Sequence, residues 1–167
     1  MMYGKEGRMI KYIFISLAVL AIDIYTKSLA IKNLLGKTAK PLIKGFLSLY
    51  YTENTGAAFS IFRDQALLLV CLPIAMLIGI VIYVFVVRSK NPFFLTGVSL
   101  ILGGGIGNLI DRISKGYVVD FLRFDFVDFP IFNFADTFVF MGTVLLLFYC
   151  FFTKEGREIG SRKASDN

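Results

Sequence analysis

The chain has 167 residues, 56% of them hydrophobic and 16% aromatic, with a mean hydropathy of +0.70. A water-soluble domain is about 45–50% apolar, and here the apolar residues fall in long runs, which excludes an ordinary soluble enzyme and points to one compact bundle of membrane spans. The net charge of +6 fits basic flanks facing anionic lipid, with no nucleic-acid partner, and the absence of histidine removes Ser-His-Asp and Cys-His hydrolases, H-E-x-x-H metalloproteases and histidine-ligated metal sites.

Lys5, Arg8 and Lys11 precede an apolar run from Tyr12 to Ile22 that continues less purely to Ile31. A basic head, an apolar middle and small residues at Ala18 and Ala21 also describe a cleavable secretory signal. Helical character continues past Ala21, and three later spans need a first anchor, so an uncleaved transmembrane helix over about 10–31 is expected. Asp23 and Lys27 are spaced i, i+4 with the acid first, so they share a face and can pair. The pair either snorkels at a helix end or braces a site inside the bundle.

Residues 32–64 read as a polar outer segment punctuated by Gly36, Pro41 and Gly45. Within it, 46–52 is short and rich in aromatic residues, hence a strand. Asn54-Thr55-Gly56 is a turn signal, and Gly56-Ala57-Ala58 leaves room for close approach to the backbone; the plainer alternative is a β-turn on the membrane surface. A second span is expected over 66–87, with Pro73 inside it, then a basic turn at 88–92 and a third span over 93–110. Gly103, Gly104, Gly105 and Gly107 exceed what helix packing asks for, and are expected to make room for a substrate beside Asn108.

Asp111 and Arg112 close the third span, and as neighbours they could simply pair with each other. The outer loop that follows, 111–135, holds a strand-like stretch at 117–122 and alternating aromatics and acids at 124–130 whose rings could rest in lipid. A lid over 121–130 is expected. The fourth span covers about 136–152, ahead of a basic tail. Cys71 and Cys150 sit deep in apolar runs, as small packing residues and not as a disulfide or metal site. Basic residues divide evenly between the two sides, but the side with the termini and the short Arg88/Lys90 turn carries them more densely, which places the termini in the cytoplasm.

Two acids stand apart from the rest. Asp120 and Asp136 lie sixteen positions apart on either side of the outer loop, both crowded by apolar residues. Acids at the mouths of apolar segments are costly unless paired, hydrated or used. A catalytic pair is one reading. The other, for Asp136, is a helix first-turn acid with Asn133 as N-cap.

Five blocks, in order, resemble the bacterial lipoprotein signal peptidase (type II signal peptidase) family: Asp23…Lys27; Asn54-Thr-Gly-Ala-Ala-Phe59; Gly103-Gly-Gly-Ile-Gly-Asn-Leu-Ile-Asp-Arg112; Val118-Val-Asp-Phe121; and Phe129-Pro-Ile-Phe-Asn-Phe-Ala-Asp136. Together they cover residues 23–136. The departures are Ile24, where the family usually has Gln, and Gly105, where Ala is common.

The resemblance implies an all-α membrane protein, a single membrane-embedded peptidase domain over 1–167. It would have four transmembrane helices, a small extracytoplasmic β-rich cradle and a second outer loop. It implies an aspartic endopeptidase of the bacterial cytoplasmic membrane, active at the outer face, monomeric and without metal or cofactor. The substrate would be a prolipoprotein already carrying diacylglycerol on its cysteine, cut just before that cysteine. Position by position, Asp120 and Asp136 match the catalytic dyad. Asn54, Asn108, Arg112 and Asn133 match residues that position substrate and dyad. Asp23 and Lys27 match a supporting pair, and Gly104 and Ala135 fall where small residues are kept. Two rivals are a transporter using Asp23, Lys27, Asp111 and Arg112 as an ion path, and a scaffold without catalysis.

Overall fold

The computed structural model describes residues 3–56 and 65–158. Four helices, α1 (Tyr3–Leu34), α2 (Ala66–Val87), α3 (Pro92–Lys115) and α4 (Phe134–Phe152), accompany three strands, β1 (Lys40–Ile43), β2 (Leu47–Asn54) and β3 (Val118–Phe124). All four helices are long and apolar enough to span a membrane, over Met9–Leu34, Leu67–Val87, Pro92–Lys115 and Phe134–Phe152. Their outward side chains are apolar, as a hydrocarbon solvent requires: Phe85, Val86, Phe140 and Phe152 are each 70% or more exposed. The expected fold class is therefore observed.

The helix α3 is central and packs against the other three. Close approach is what its glycines provide. A Cβ on Gly103 would lie 2.6 Å from Ser16 O of α1, and one on Gly104 would lie 2.5 Å from Ala135 O of α4. A Cβ on Gly107 would collide with the Asp23 carboxylate. The glycines were expected to let helices approach closely and also to leave room for a substrate; the first is observed, with neighbouring helices filling the space beside them. Ser16 Oγ adds a 2.8 Å bond to Ser99 O, the kind of interhelical bond that lipid cannot supply.

The helix also runs further than expected, past Arg112 to Lys115, where Gly116 ends it with φ +83°. The two cysteines, read as small apolar packing residues, are free and exposed on the helical surface.

The sheet is antiparallel in the order β1-β2-β3. β2 and β3 fall where aromatic and β-branched runs placed them, and β1 adds a short hairpin partner closed at Gly45. The sheet packs on the end of α1: Ala30 and Leu34 join Val119, Phe121 and Leu122 in one buried cluster. A second cluster, with Tyr12, Phe94, Leu95, Val98 and Tyr149, closes the opposite end of the bundle.

The first part of the lid expected over 121–130 is strand. Residues up to Phe124 are strand, with Phe124 paired to Leu47. Asp125 N–H donates to Phe46 O, and the Asp125 carboxylate takes the Ser48 hydroxyl. Phe121 and Leu122 both donate to Phe132 O, which closes the base of the loop. What remains beyond the strand is a short aromatic turn in which Phe46 stacks on Phe126.

Candidate active site

Three polar positions are set by backbone geometry. Asn133 caps α4: its Oδ1 accepts from Asp136 N–H at 2.9 Å, while Asp136 Oδ2 accepts from Asn133 N–H at 3.1 Å, a reciprocal capping box. The capping role expected for the Asn133–Asp136 pair is thus real, but it leaves both side chains with more to do. Asn133 Nδ2 donates to Asp120 Oδ1 at 2.7 Å, so one asparagine touches both carboxyl groups.

The third position depends on a slip in the sheet. Leu49 pairs with Leu122 but Thr52 pairs with Asp120, one residue out of register. Side chains alternate along a strand, so without the slip Tyr51 would face Asp120 and Glu53 would share its side. With it, Asn54 lies diagonally across from Asp120 and its Nδ2 donates to Asp120 Oδ2 at 2.8 Å. The bulge replaces a third carboxylate with an amide donor.

From the helices comes a buried cation. Lys27, 2% exposed, places Nζ 2.7 Å from Asp23 Oδ2, 3.1 Å from Asp111 Oδ2 and 2.8 Å from Asn108 Oδ1. An ammonium only donates, so Asn108 must turn its oxygen to Lys27 and its amide nitrogen to Asp136 Oδ1, at 2.7 Å. Asp23, fully buried, also accepts from Ala135 N–H at 3.2 Å, which ties α1 to the start of α4. Asp23 and Lys27 do not snorkel to a helix end: the pair is buried in the interior.

Sequence reasoning missed Asp111. It does not pair with its neighbour Arg112. Its Oδ1 takes Lys115 at 2.7 Å, and its Oδ2 takes Lys27 and, at 3.2 Å, the N–H of Val119, one residue before Asp120. The i, i+4 spacing to Lys115 was the available signal. Arg112 instead donates from Nη2 to Gly56 O at 3.2 Å, and its charge acts on both Asp136 and Asp120. Its Nε is buried with no hydrogen-bond partner among the described residues. Residues 57–64, which include Ala57, Ala58 and Phe59 of the motif, lie outside the described residues.

Asp120 is 1% exposed, whereas Asp136 is half-buried. Burial, then the neighbouring charge of Asp136, push the Asp120 pKa up to about 7, against the opposing hydrogen bonds from Asn54 and Asn133. Two carboxyl groups so placed do not both ionise cheaply at neutral pH and can share a proton. By contrast Asp125, at the far end of the sheet, is held below the usual carboxylate range by its bonds to Ser48 and Arg123. The described residues contain no cluster of three or more metal-ligating side chains.

Residues 15–152 match the profile of a family described as signal peptidase (SPase) II. A lipoprotein signal peptidase of Lactobacillus gasseri is 40% identical over 151 residues, spanning 90% of this chain and 98% of that protein. One from Clostridium tetani is 43% identical over 131 residues, spanning 77% and 84%. Two solved structures, both described as bacterial membrane enzymes determined by the in meso method, are similar in fold. One, at 1.9 Å resolution, has a TM-score of 0.76 at 30% identity, covering 86% of this chain and 94% of its own. The other, at 2.3 Å, has a TM-score of 0.73 at 33% identity, covering 82% and 85%.

Proposed function

The chain belongs to the signal peptidase II family, and from that premise we propose that it is an aspartic endopeptidase whose dyad is Asp120 and Asp136. The observation that carries the reading is Asn133, which bonds both carboxyl groups while capping the helix that holds one of them. Membership also makes the chain a multi-pass bacterial membrane peptidase acting on prolipoproteins.

The chemistry follows from the residue types. The dyad holds one proton shared between the two carboxyl groups. One carboxylate takes a proton from water as the water attacks the scissile carbonyl; the other, protonated, polarises that carbonyl and then helps protonate the leaving amine. The pair titrates as a unit. Asn54 and Asn133 hold Asp120, and Asn108 holds Asp136, so neither acid needs to reorient during the reaction. Arg112, whose charge acts on both acids, is the cationic side chain beside the dyad and is assigned to holding the substrate backbone.

The proposed substrate is a prolipoprotein with diacylglycerol on its cysteine, cut just before that residue. The acyl chains stay in the bilayer, and their binding helps to place the peptide at the dyad. No metal or cofactor takes part in this scheme. The site faces outward, the termini lie in the cytoplasm, and the protein acts as a monomer.

The direct test is product mass. The purified protein, given a diacylglyceryl prolipoprotein, releases a free signal peptide and leaves the lipidated cysteine as the new N-terminus, and it leaves the unlipidated precursor intact. Cleavage at another bond, or equal cleavage of both precursors, contradicts the proposal.

A further inference from the structure

A groove of about 490 Å³ lies between the sheet-side ends of α1 and α3. That size is typical of a small-ligand pocket. Its floor is Lys27 and Asp111, both buried and paired to each other. Ile24 and Ile110, each more than 40% exposed, form its walls on the side of the bilayer interior. Toward the helix ends come the exposed hydroxyls of Ser28 and Ser114, and then the ammonium groups of Lys32 and Lys115.

Each helix thus runs from an isoleucine to a lysine toward its C-terminal end, with Ile31 also lining the groove before Lys32 and the Lys115 ammonium turned back onto Asp111. The charges around the groove do not cancel. Three lysines, at 27, 32 and 115, face two aspartates, at 23 and 111, and both acids are taken by Lys27 and Lys115. Among the described residues no carboxylate pairs with Lys32.

We propose that this groove holds an anionic phospholipid of the surrounding bilayer, with its phosphate between Lys32 and Lys115 and an acyl chain along Ile24 and Ile110. A phosphate anion supplies a counter-charge to Lys32, and the isoleucine walls match a chain and not a free ion. The site would touch the catalytic apparatus. Lys115 holds Asp111, and Asp111 holds the N–H of Val119 beside Asp120. The proposal rests on the membrane-spanning helices and not on the peptidase chemistry, so the two can fail separately.

Native mass spectrometry of the full chain, in detergent supplemented with phosphatidylglycerol or with phosphatidylcholine of the same acyl chains, tests it. The expected result is selective retention of phosphatidylglycerol. Lys32→Gln lowers that retention about fivefold, the effect of one lysine near an anionic headgroup. Lys32→Arg keeps it, and Lys154→Gln, a charge removed beyond the far end of α4, leaves it unchanged. Equal retention of the two lipids, or parental retention by Lys32→Gln, overturns the proposal. Displacement of the lipid by inorganic phosphate alone overturns the commitment to a lipid.

Discussion

At the scale of single residues, Asn133 does two jobs that substitution can separate. Ser is as good an N-cap as Asn but has no amide to donate. Asn133→Ser is expected to stay within roughly 0.5 kcal/mol of the parent's stability as a cap, while cleavage falls about 100-fold or more, because the bond to Asp120 and the bond to Asn108 are both lost. Asn133→Ala loses the cap as well, at about 1 kcal/mol. A Ser variant with near-parental turnover would reduce Asn133 to a cap. Asp120 adds a pH signature. Its native pKa of about 7 lies above the unfolded value, so between about pH 4 and 7 the native state holds a proton that the unfolded chain lacks. The contribution of Asp120 to stability is then fully present at low pH and lost as pH rises, by at most about 1.4 kcal/mol per pH unit, and it levels off above 7. Thermal midpoints in detergent should show that slope in the parent and a shallower one in Asp120→Asn. In activity, kcat/KM should fall above about pH 7, approaching tenfold per pH unit, as the shared proton is lost.

At the scale of elements, the glycines of α3 set how near α1 and α4 can come. Gly104→Ala forces a methyl against Ala135 O and should cost about 1–3 kcal/mol, with loss of activity because Asp136 moves with α4. Gly79→Ala in α2 meets nothing within 4 Å, and should be neutral or stabilising by up to about 1 kcal/mol. Equal thermal midpoints for the two variants would contradict this account of the interface. The same interface shows what was legible in the chain. The spans were, because twenty or so apolar residues in a row have few other uses. So were β2 and β3, from their aromatic and β-branched content, and the Asn133 cap, from residue type and position. The partners of Asp111 were not. Consecutive helical residues point about 100° apart, so Asp111 and Arg112 face different neighbours, and which neighbours these are depends on where α1 and β3 pack. Nor was the bulge that brings Asn54 in place of Glu53 to Asp120, since register is a property of two strands together.

At the scale of the whole molecule, the sheet sits on one end of a bundle whose buried polar groups gather at that end, with Asp23, Lys27, Asp111, Asp120 and Asn133 all within the interior. Such groups are costly in lipid unless they serve each other or a reaction, and here they do the first in a pattern that supports the second. The proposed orientation is open to thiol labelling. In a variant lacking Cys71 and Cys150, a cysteine at Lys37 should react with an impermeant reagent applied to intact cells and one at Lys90 should not; the reverse pattern would invert the topology. The central claim is the dyad, and cleavage of a diacylglyceryl prolipoprotein by the parent, Asp120→Asn and Asp136→Asn tests it most directly. The account predicts a cleaving parent and two folded variants, each with turnover reduced by three orders of magnitude or so, the scale of losing an essential catalytic group. Near-parental turnover in either folded variant would show that the dyad is assigned to the wrong acids.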